Sequence, residues 1–313
     1  MLVAAIMLVS TSLIASLSPG WAAPVSATDE PQADTATYTL FFPTIHRNPP
    51  LNTVNRIVID HNSVDLFASI PNQYLTAASQ IRQLFRHASV GSNISQGLDC
   101  LMDNVQPRPY SCDSGLPGNQ IIYDPKYNRS NWVFEFHQPP PSQNPAWYNK
   151  VYLFMDRVDS LGTNSPYGVY GFKFGYVDGL TGSEVADEFF QTQNSTYPTI
   201  YDLEALEDRY PNKKFVYWTM GLARSVGTPE SLNFNQQLRA YAATNNKILM
   251  DIADIQSHRP DGTPCFDNQG HGIEAICAEY TEEVNAGHLN SLGMQRMAKA
   301  MWVLMARLAG WNP

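Results

Sequence analysis

Apolar residues along the chain follow two different periodicities. Short apolar runs of the strand type lie at about residues 81–88, 132–137, 167–177, 215–220 and 247–255. Apolar residues recur at helical spacing over residues 92–105, 183–191, 199–210, 231–244 and 291–309. Residues 54–79 predict a short helical lead-in, whereas residues 151–155 fit either a helix or a strand. Strands that alternate with helices predict an α/β fold, in which a mostly parallel sheet is covered by helices on both faces.

The turn after the first of these strands carries the first candidate for chemistry. Ser89-Val90-Gly91 separates the strand at 81–88 from the helix at 92–105. A serine there stands at the carboxyl end of a parallel strand, where such sheets bind their ligands, and at the positive end of a helix. Backbone N–H groups at that position can stabilise an oxyanion. We therefore predict that Ser89 is a nucleophile whose own N–H helps to hold the oxyanion, the alternative being a simple helix-capping serine.

A histidine near the end of the chain is the predicted partner of this serine. His288 lies in the segment Gly287–Asn290, directly before the last predicted helix, and we expect it to act as the general base. An acid should then orient His288. Asp251 and Asp254 are the first choice, Glu282 and Glu283 the second, and Asn285 a neutral alternative. Further polar residues near predicted strand ends are Lys173, Tyr176, Asp178, Thr219, Arg224 and His258.

The start of the chain predicts export. The first 28 residues carry no charged side chain, and small residues suited to cleavage follow the apolar run, so residues 1–27 are predicted to be a signal peptide. A retained membrane anchor is the alternative. Residues 28–52 are predicted to be a linker, and residues 53–313 one domain. An even number of cysteines in an exported chain favours two disulfides, predicted between Cys100 and Cys112 and between Cys265 and Cys277.

Charge and composition exclude several classes of partner. The net charge is −9 and the chain has no basic cluster, which argues against nucleic acid and against an anionic membrane surface after signal cleavage. Aromatic residues make up 12% of the chain and would suit a carbohydrate or another neutral polar ligand. No fixed ligand spacing is present, so no metal or other cofactor is predicted. The donors weighed for a metal are Asp251, Asp254, His258, His271 and His288.

The serine and histidine segments together resemble the SGNH (GDSL-like) hydrolases, in particular secreted bacterial members whose serine block reads roughly HxSVGxNI. The matching block here is His87–Ile94, and the resemblance spans about residues 55–311. It implies a flavodoxin-like, three-layer α/β/α sandwich and metal-free hydrolysis of esters, often of acylated carbohydrates. It also implies that Ser89 is the nucleophile and His288 the base. Supporting residues would be His87, Asn93 and Asn285, and the oxyanion glycine would be Gly175 or Gly179.

The chain departs from the family pattern in three places. His87-Ala88 replaces the usual Gly-Asp before the serine, and the block that normally carries an oxyanion asparagine has no match at Thr219–Leu222. Asn285 stands where an acid is expected before the histidine.

The sequence leaves two functions open for the chain. One is a secreted serine esterase that acts on small-molecule or carbohydrate esters through an acyl-serine intermediate. The other is a secreted carbohydrate-binding protein on the same scaffold that has lost part of its catalytic set.

Overall fold

Six parallel strands form the central sheet of the described part of the chain. The structure is a computed structural model that describes residues 56–102, 110–113, 123–140, 142–194, 196–225 and 229–313, all within one compact unit. The strands are β1 (Val58–Ile59), β2 (Gln83–His87), β3 (Trp132–Phe136), β4 (Val169–Phe172), β5 (Lys214–Trp218) and β6 (Ile248–Met250). The predicted signal peptide and linker lie outside the described residues.

The strand order places the carboxyl end of β2 at a reversal of the chain's path. The order across the sheet is β1-β6-β5-β4-β2-β3, and every neighbouring pair is parallel. Phe85 of β2 pairs with Phe134 of β3 on one side and with Gly171 of β4 on the other. From β2 the chain first adds β3 on one side and then returns to add β4 on the other. Such a switch point opens a crevice at the carboxyl ends of the strands, where ligands bind in open α/β sheets.

Helices cover both faces of this sheet. The α-helices of the described residues are α1 (Asn72–Gln80), α2 (Val90–Leu101), α3 (Tyr110–Asp113), α4 (Trp147–Leu161), α5 (Val185–Glu188), α6 (Ile200–Arg209), α7 (Pro229–Thr244), α8 (Ile252–Ser257) and α9 (Ser291–Leu308). Short 3₁₀ helices span Asn62–Ser69, Pro125–Tyr127, Tyr176–Gly179 and Ala278–Tyr280.

Alternation along the strands divides the core into two layers. Phe85 belongs to the cluster that packs against α1, α2 and α9, whereas its neighbour Leu84 belongs to the cluster under α4, α6 and α7. Val216 and Tyr217 of β5 divide in the same way. Successive side chains of a strand point to opposite faces, so each strand contributes to both layers. The three-layer α/β/α sandwich predicted from the sequence is therefore confirmed.

The structure corrects the predicted bounds of three elements. The predicted strand at 247–255 ends at Met250, and α8 begins at Ile252. The predicted strand at 167–177 ends at Phe172 and is followed by a 3₁₀ helix. The lead-in at 54–79 contains β1 in addition to its helices. Short apolar runs do not distinguish a buried strand from a buried helical turn, which explains these differences.

Two disulfides occur in the described residues, and they join Cys100 to Cys112 and Cys265 to Cys277 as predicted. The first ties α2 to α3, and the second lies in the loop that precedes the predicted histidine. Among the described residues, no helix combines the length and apolar character needed to cross a bilayer.

Candidate active site

The turn that carries Ser89 has a strained backbone. Ser89 lies between β2 and the first residue of α2, and its φ of 52° and ψ of −115° are unusual for a residue with a side chain. Such conformations cost roughly 1–3 kcal/mol and are concentrated at functional sites. The Ser89 side chain is half-buried. Its backbone N–H belongs to the first turn of a helix, where N–H groups have no acceptor within the helix. The turn therefore presents a hydroxyl beside a backbone donor.

Gly91 allows this turn to be so sharp. A Cβ atom at Gly91 would lie 2.3 Å from Cβ of His87, closer than real atoms approach. The Gly91 N–H donates to the carbonyl of Ala88, and the Ser92 N–H donates to the carbonyl of Ser89. A larger residue would push α2 away from the end of β2. The glycine at position 91 therefore allows the start of α2 to pack closely against the end of β2.

His288 approaches Ser89 from the loop before α9. Its Nε2 lies 2.7 Å from Oγ of Ser89, which is hydrogen-bonding distance. A Cβ at Gly287 would lie 2.0 Å from the carbonyl oxygen of Leu222, so only glycine lets this loop pass the end of β5. The Leu289 N–H donates to Oδ1 of Asn93 on α2 at 3.1 Å. Asn93 therefore ties the histidine loop to the helix that follows the serine.

Glu283 is the acid that contacts His288. Nδ1–H of His288 donates to Oε1 of Glu283 at 2.9 Å, and the His288 backbone N–H donates to Oε2 at 2.7 Å. Partial burial alone would raise the pKa of Glu283, but these hydrogen bonds and the charge of His288 lower it overall. A carboxylate on Nδ1 fixes the tautomer in which Nε2 faces the serine and accepts its proton. Glu283 belongs to the second-choice pair of the sequence analysis.

The first-choice acids lie elsewhere. Asp251 is buried and pairs with the Arg239 guanidinium, with Nε–Oδ2 and Nη2–Oδ1 distances of 2.7 and 2.9 Å. Asp254 contacts His61, with Oδ2 2.6 Å from Nδ1. Both aspartates follow β6, which is separated from β2 by β5 and β4. The prediction that either aspartate contacts His288 is wrong, because β6 ends early and both carboxylates are used around α8.

Asn285 does not orient the histidine either. Its side-chain Oδ1 accepts a hydrogen bond from Oγ of Ser225 at 3.0 Å, and its backbone carbonyl accepts from the same hydroxyl at 3.2 Å. Asn285 thus holds the histidine loop against the segment after β5. The departure at this position is compensated by Glu283, two residues earlier.

The two glycines considered for the oxyanion have other contacts. The Gly175 N–H donates to Oδ2 of Asp178 at 2.7 Å, so in this conformation it is not available to substrate. Gly179 is packed tightly, and a Cβ there would lie 2.5 Å from Sδ of Met220. Neither contact favours an oxyanion role for these glycines. The N–H of Ser89, at the start of α2, stays the predicted oxyanion donor.

His87 lies beneath the turn rather than in the site. Its ring is buried among aromatic side chains, with its centroid 4.6 Å from that of Phe136. Burial, with smaller contributions from the charges of Lys173 and Arg86, lowers the pKa of His87 to about 3. The imidazole is therefore neutral at physiological pH, and it supports the Ser89 turn through its contact with Gly91.

Tyr176 is a wall of the site that the sequence analysis named only as a strand-end residue. Its ring packs edge-on against His288, with the centroids 6.4 Å apart. Burial raises the pKa of the Tyr176 hydroxyl, and the charge of Glu283 adds to this effect. The turn that carries Tyr176 is anchored by Asp178, whose carboxylate also forms a buried ion pair with Lys150 of α4. The fixed ring therefore shapes the space next to the His288 imidazole.

Comparisons with known proteins give distant structural likenesses. A candidate acylhydrolase of Bacteroides fragilis is similar over 79% of this chain and 95% of its own, with 13% identity and a TM-score of 0.40. A possible lipase of Chitinophaga pinensis is similar over 73% of this chain and 99% of its own, with 14% identity and a TM-score of 0.38. No protein-family model and no curated protein matches the chain. The activity is therefore inferred from this chain's own residues.

Proposed function

We propose that this protein is a serine hydrolase that cleaves esters through an acyl-serine intermediate. The observation that supports it is the continuous chain of contacts from Ser89 Oγ to His288 Nε2 at 2.7 Å and from His288 Nδ1 to Glu283 Oε1 at 2.9 Å. Nucleophile, base and orienting acid each have a side chain suited to that role. The three come from two separate parts of the chain that meet at the switch point of the sheet.

The first half of the proposed reaction transfers the acyl group to the enzyme. Ser89 Oγ attacks the carbonyl carbon of the ester while His288 Nε2 takes the hydroxyl proton. Glu283 stabilises the resulting imidazolium through its hydrogen bond to Nδ1. The N–H of Ser89, at the positive end of α2, faces the developing oxyanion. The carbon–oxygen bond of the ester then breaks, and the alcohol leaves with the proton from His288.

The second half regenerates the enzyme. His288 takes a proton from water as the water attacks the acyl-serine carbonyl, and it returns that proton to Ser89 Oγ as the acid departs. The His288 and Glu283 side chains are 44% and 38% exposed, so water reaches the site without a conformational opening. An open site of this kind suits an ester that is presented on a larger molecule, such as an acylated carbohydrate, as well as a small ester.

We further propose that the chain acts outside the cytoplasm. Two disulfides within the described residues and the uncharged apolar N-terminal sequence support export. No metal or other cofactor is required by the proposed steps.

A fluorophosphonate probe tests the proposal, because it reacts with serines that an adjacent base activates. We expect the wild-type protein to be labelled on Ser89 and Ser89→Ala to remain unlabelled. Ser92→Ala is the matched control, since Ser92 is half-buried on the first turn of the same helix. It should label like the wild type. Absence of labelling in a folded wild-type protein, together with absence of ester turnover, would favour the binding-protein alternative.

A further inference from the structure

A second cluster of polar side chains lies at the opposite edge of the sheet from β3. His61 follows the short edge strand β1, Asp254 lies on α8, and His258, four residues later, directly follows the last residue of that helix. β1 pairs with β6, whose end leads directly into α8, so the two segments are brought together by the sheet itself. The proposed catalytic serine follows β2, which is three strands away from β6 across the sheet. The cluster is therefore separate from the candidate active site.

Two imidazole side chains converge on the carboxylate of Asp254. Oδ2 of Asp254 lies 2.6 Å from Nδ1 of His61, and Oδ1 lies 3.3 Å from Nδ1 of His258. The two imidazole rings are stacked, with centroids 4.1 Å apart and planes at 10°. One donor atom from each residue lies within 4.8 Å of the donor atoms of the other two. The side chains are 20–22% exposed, which leaves an approach from solvent.

We propose that His61, Asp254 and His258 form a binding site for a divalent transition-metal ion, with Zn²⁺ the best match. Two imidazoles and one carboxylate are a donor set that zinc accepts, and three protein ligands leave a fourth position for water. Zinc bonds of about 2.0–2.2 Å place neighbouring donor atoms roughly 3.3 Å apart in a tetrahedron, and the three residues already offer donor atoms within 4.8 Å of one another. A turn of either ring out of its stacked position brings its nitrogen toward the ion.

The surroundings of His258 also suit a metal ligand. Its Nδ1 lies 2.9 Å from the backbone carbonyl oxygen of Asp254, which can accept the Nδ1–H. Metal-binding histidines commonly donate one ring N–H to a carbonyl in this way, and the other nitrogen then keeps its lone pair for the metal. Binding would replace the hydrogen bond between the His61 ring and Asp254 with two metal bonds.

A comparison with another histidine–aspartate contact in the chain distinguishes this cluster from a simple ion pair. His271 and Asp267 have the same four-residue spacing, with Nδ1 3.2 Å from Oδ2, but no histidine or acid from another segment completes a triplet there among the described residues. The third ligand, His61, is what makes the proposed site. A metal bound there would link the two-residue edge strand β1 to α8 and so stabilise that edge of the sheet.

Metal titration of the purified, chelator-treated protein tests the proposal. We expect one equivalent of Zn²⁺ by calorimetry, a visible Co²⁺ spectrum with nitrogen and oxygen ligands, and a higher melting temperature with Zn²⁺. His61→Gln, Asp254→Asn and His258→Gln should each weaken binding by at least about tenfold and abolish the rise in melting temperature. His271→Gln is the matched control and should bind like the wild type.

The variants are compared without metal first, by circular dichroism and melting, so that only folded proteins are titrated. If Asp254→Asn fails to fold, the two histidine variants decide, since each removes one ligand from a partly exposed position. Ester hydrolysis by the metal-free protein should be unchanged in the histidine variants, which separates this site from the proposed activity. Absence of stoichiometric binding, or binding that only His271→Gln weakens, would overturn the proposal.

Discussion

At the scale of single residues, the proposed chemistry depends on which acid orients His288. Glu283 contacts both the ring Nδ1–H and the backbone N–H of His288, whereas Asp251 and Asp254 have their own partners around α8. A carboxylate in this position holds the productive tautomer and stabilises the imidazolium. The neighbouring Glu282 is exposed and offers a control of identical chemistry.

We therefore predict that Glu283→Gln lowers kcat for a short acyl ester by a large factor and changes KM little. Replacement of the equivalent acid by its amide in a serine protease costs about 10⁴ in rate, which sets the scale expected here. Steady-state kinetics measure the effect, and Glu282→Gln should behave like the wild type. Equal activity of the two variants would show that Glu283 is not the orienting acid.

A second residue-scale prediction concerns His87 and pH. Burial lowers the pKa of His87 to about 3, whereas an unfolded histidine titrates near its ordinary pKa of about 6.5. Between these values the unfolded state binds more protons, so stability is lost as the pH falls. His87 should contribute up to about 1.4 kcal/mol of lost stability per pH unit in that window.

Urea denaturation from pH 7 to pH 4 measures this contribution. The free energy of unfolding should fall less steeply with decreasing pH in His87→Leu than in the wild type. A variant with the wild-type slope would show that His87 is not the buried neutral group described here.

At the scale of elements, the junction of β2 and α2 determines the position of the nucleophile. Ser89 has a positive φ, and Gly91 leaves no room for a Cβ beside His87. Gly91→Ala should therefore displace the start of α2 and reduce both hydrolysis and stability. Gly168→Ala is the control, since no atom lies within 4 Å of a Cβ placed there and its φ is not in the left-handed region. Full activity in Gly91→Ala would contradict this role of the junction.

Two of the three residues in the candidate site could be predicted from the sequence alone. Ser89 and His288 could be predicted because each lies directly before a helix that a change in apolar periodicity marks. Glu283 lies in a loop without periodicity, and its approach to His288 depends on how that loop folds. The sequence favours Asp251 because residues 247–255 fit a strand, yet Ile252 and Ile255 are spaced for a helix and belong to α8. Short apolar runs leave this choice to tertiary packing.

At the scale of the whole molecule, the strand order brings distant segments to one crevice. β2 lies between β3 and β4, and the loop before α9 returns across the carboxyl ends of the strands to deliver Glu283 and His288. The alternation of strands and helices predicted the three layers. The order of strands, and therefore which strand ends adjoin Ser89, depends on long-range pairing that no local pattern encodes.

The second disulfide stabilises the loop region that leads to Glu283. Cys265 and Cys277 are both buried and close a loop with a sequence separation of 12. Removal of such a bridge by Cys265→Ser with Cys277→Ser should lower the free energy of unfolding by about 3 kcal/mol, measured by denaturant titration. Ester hydrolysis should fall more than in the matched Cys100→Ser, Cys112→Ser variant, whose bridge ties α2 to α3. Equal activity in both variants would show that the Cys265–Cys277 bridge does not help to position Glu283 and His288.

Direct observation of the acyl-enzyme tests the central claim most closely. The protein is mixed with a short acyl ester, quenched during the first turnover and examined by intact-mass and peptide mass spectrometry. We predict a burst of alcohol release matched by one acyl group on Ser89 in the wild type and in Ser92→Ala. Ester turnover without an acyl group on Ser89, and undiminished in Ser89→Ala, would contradict it.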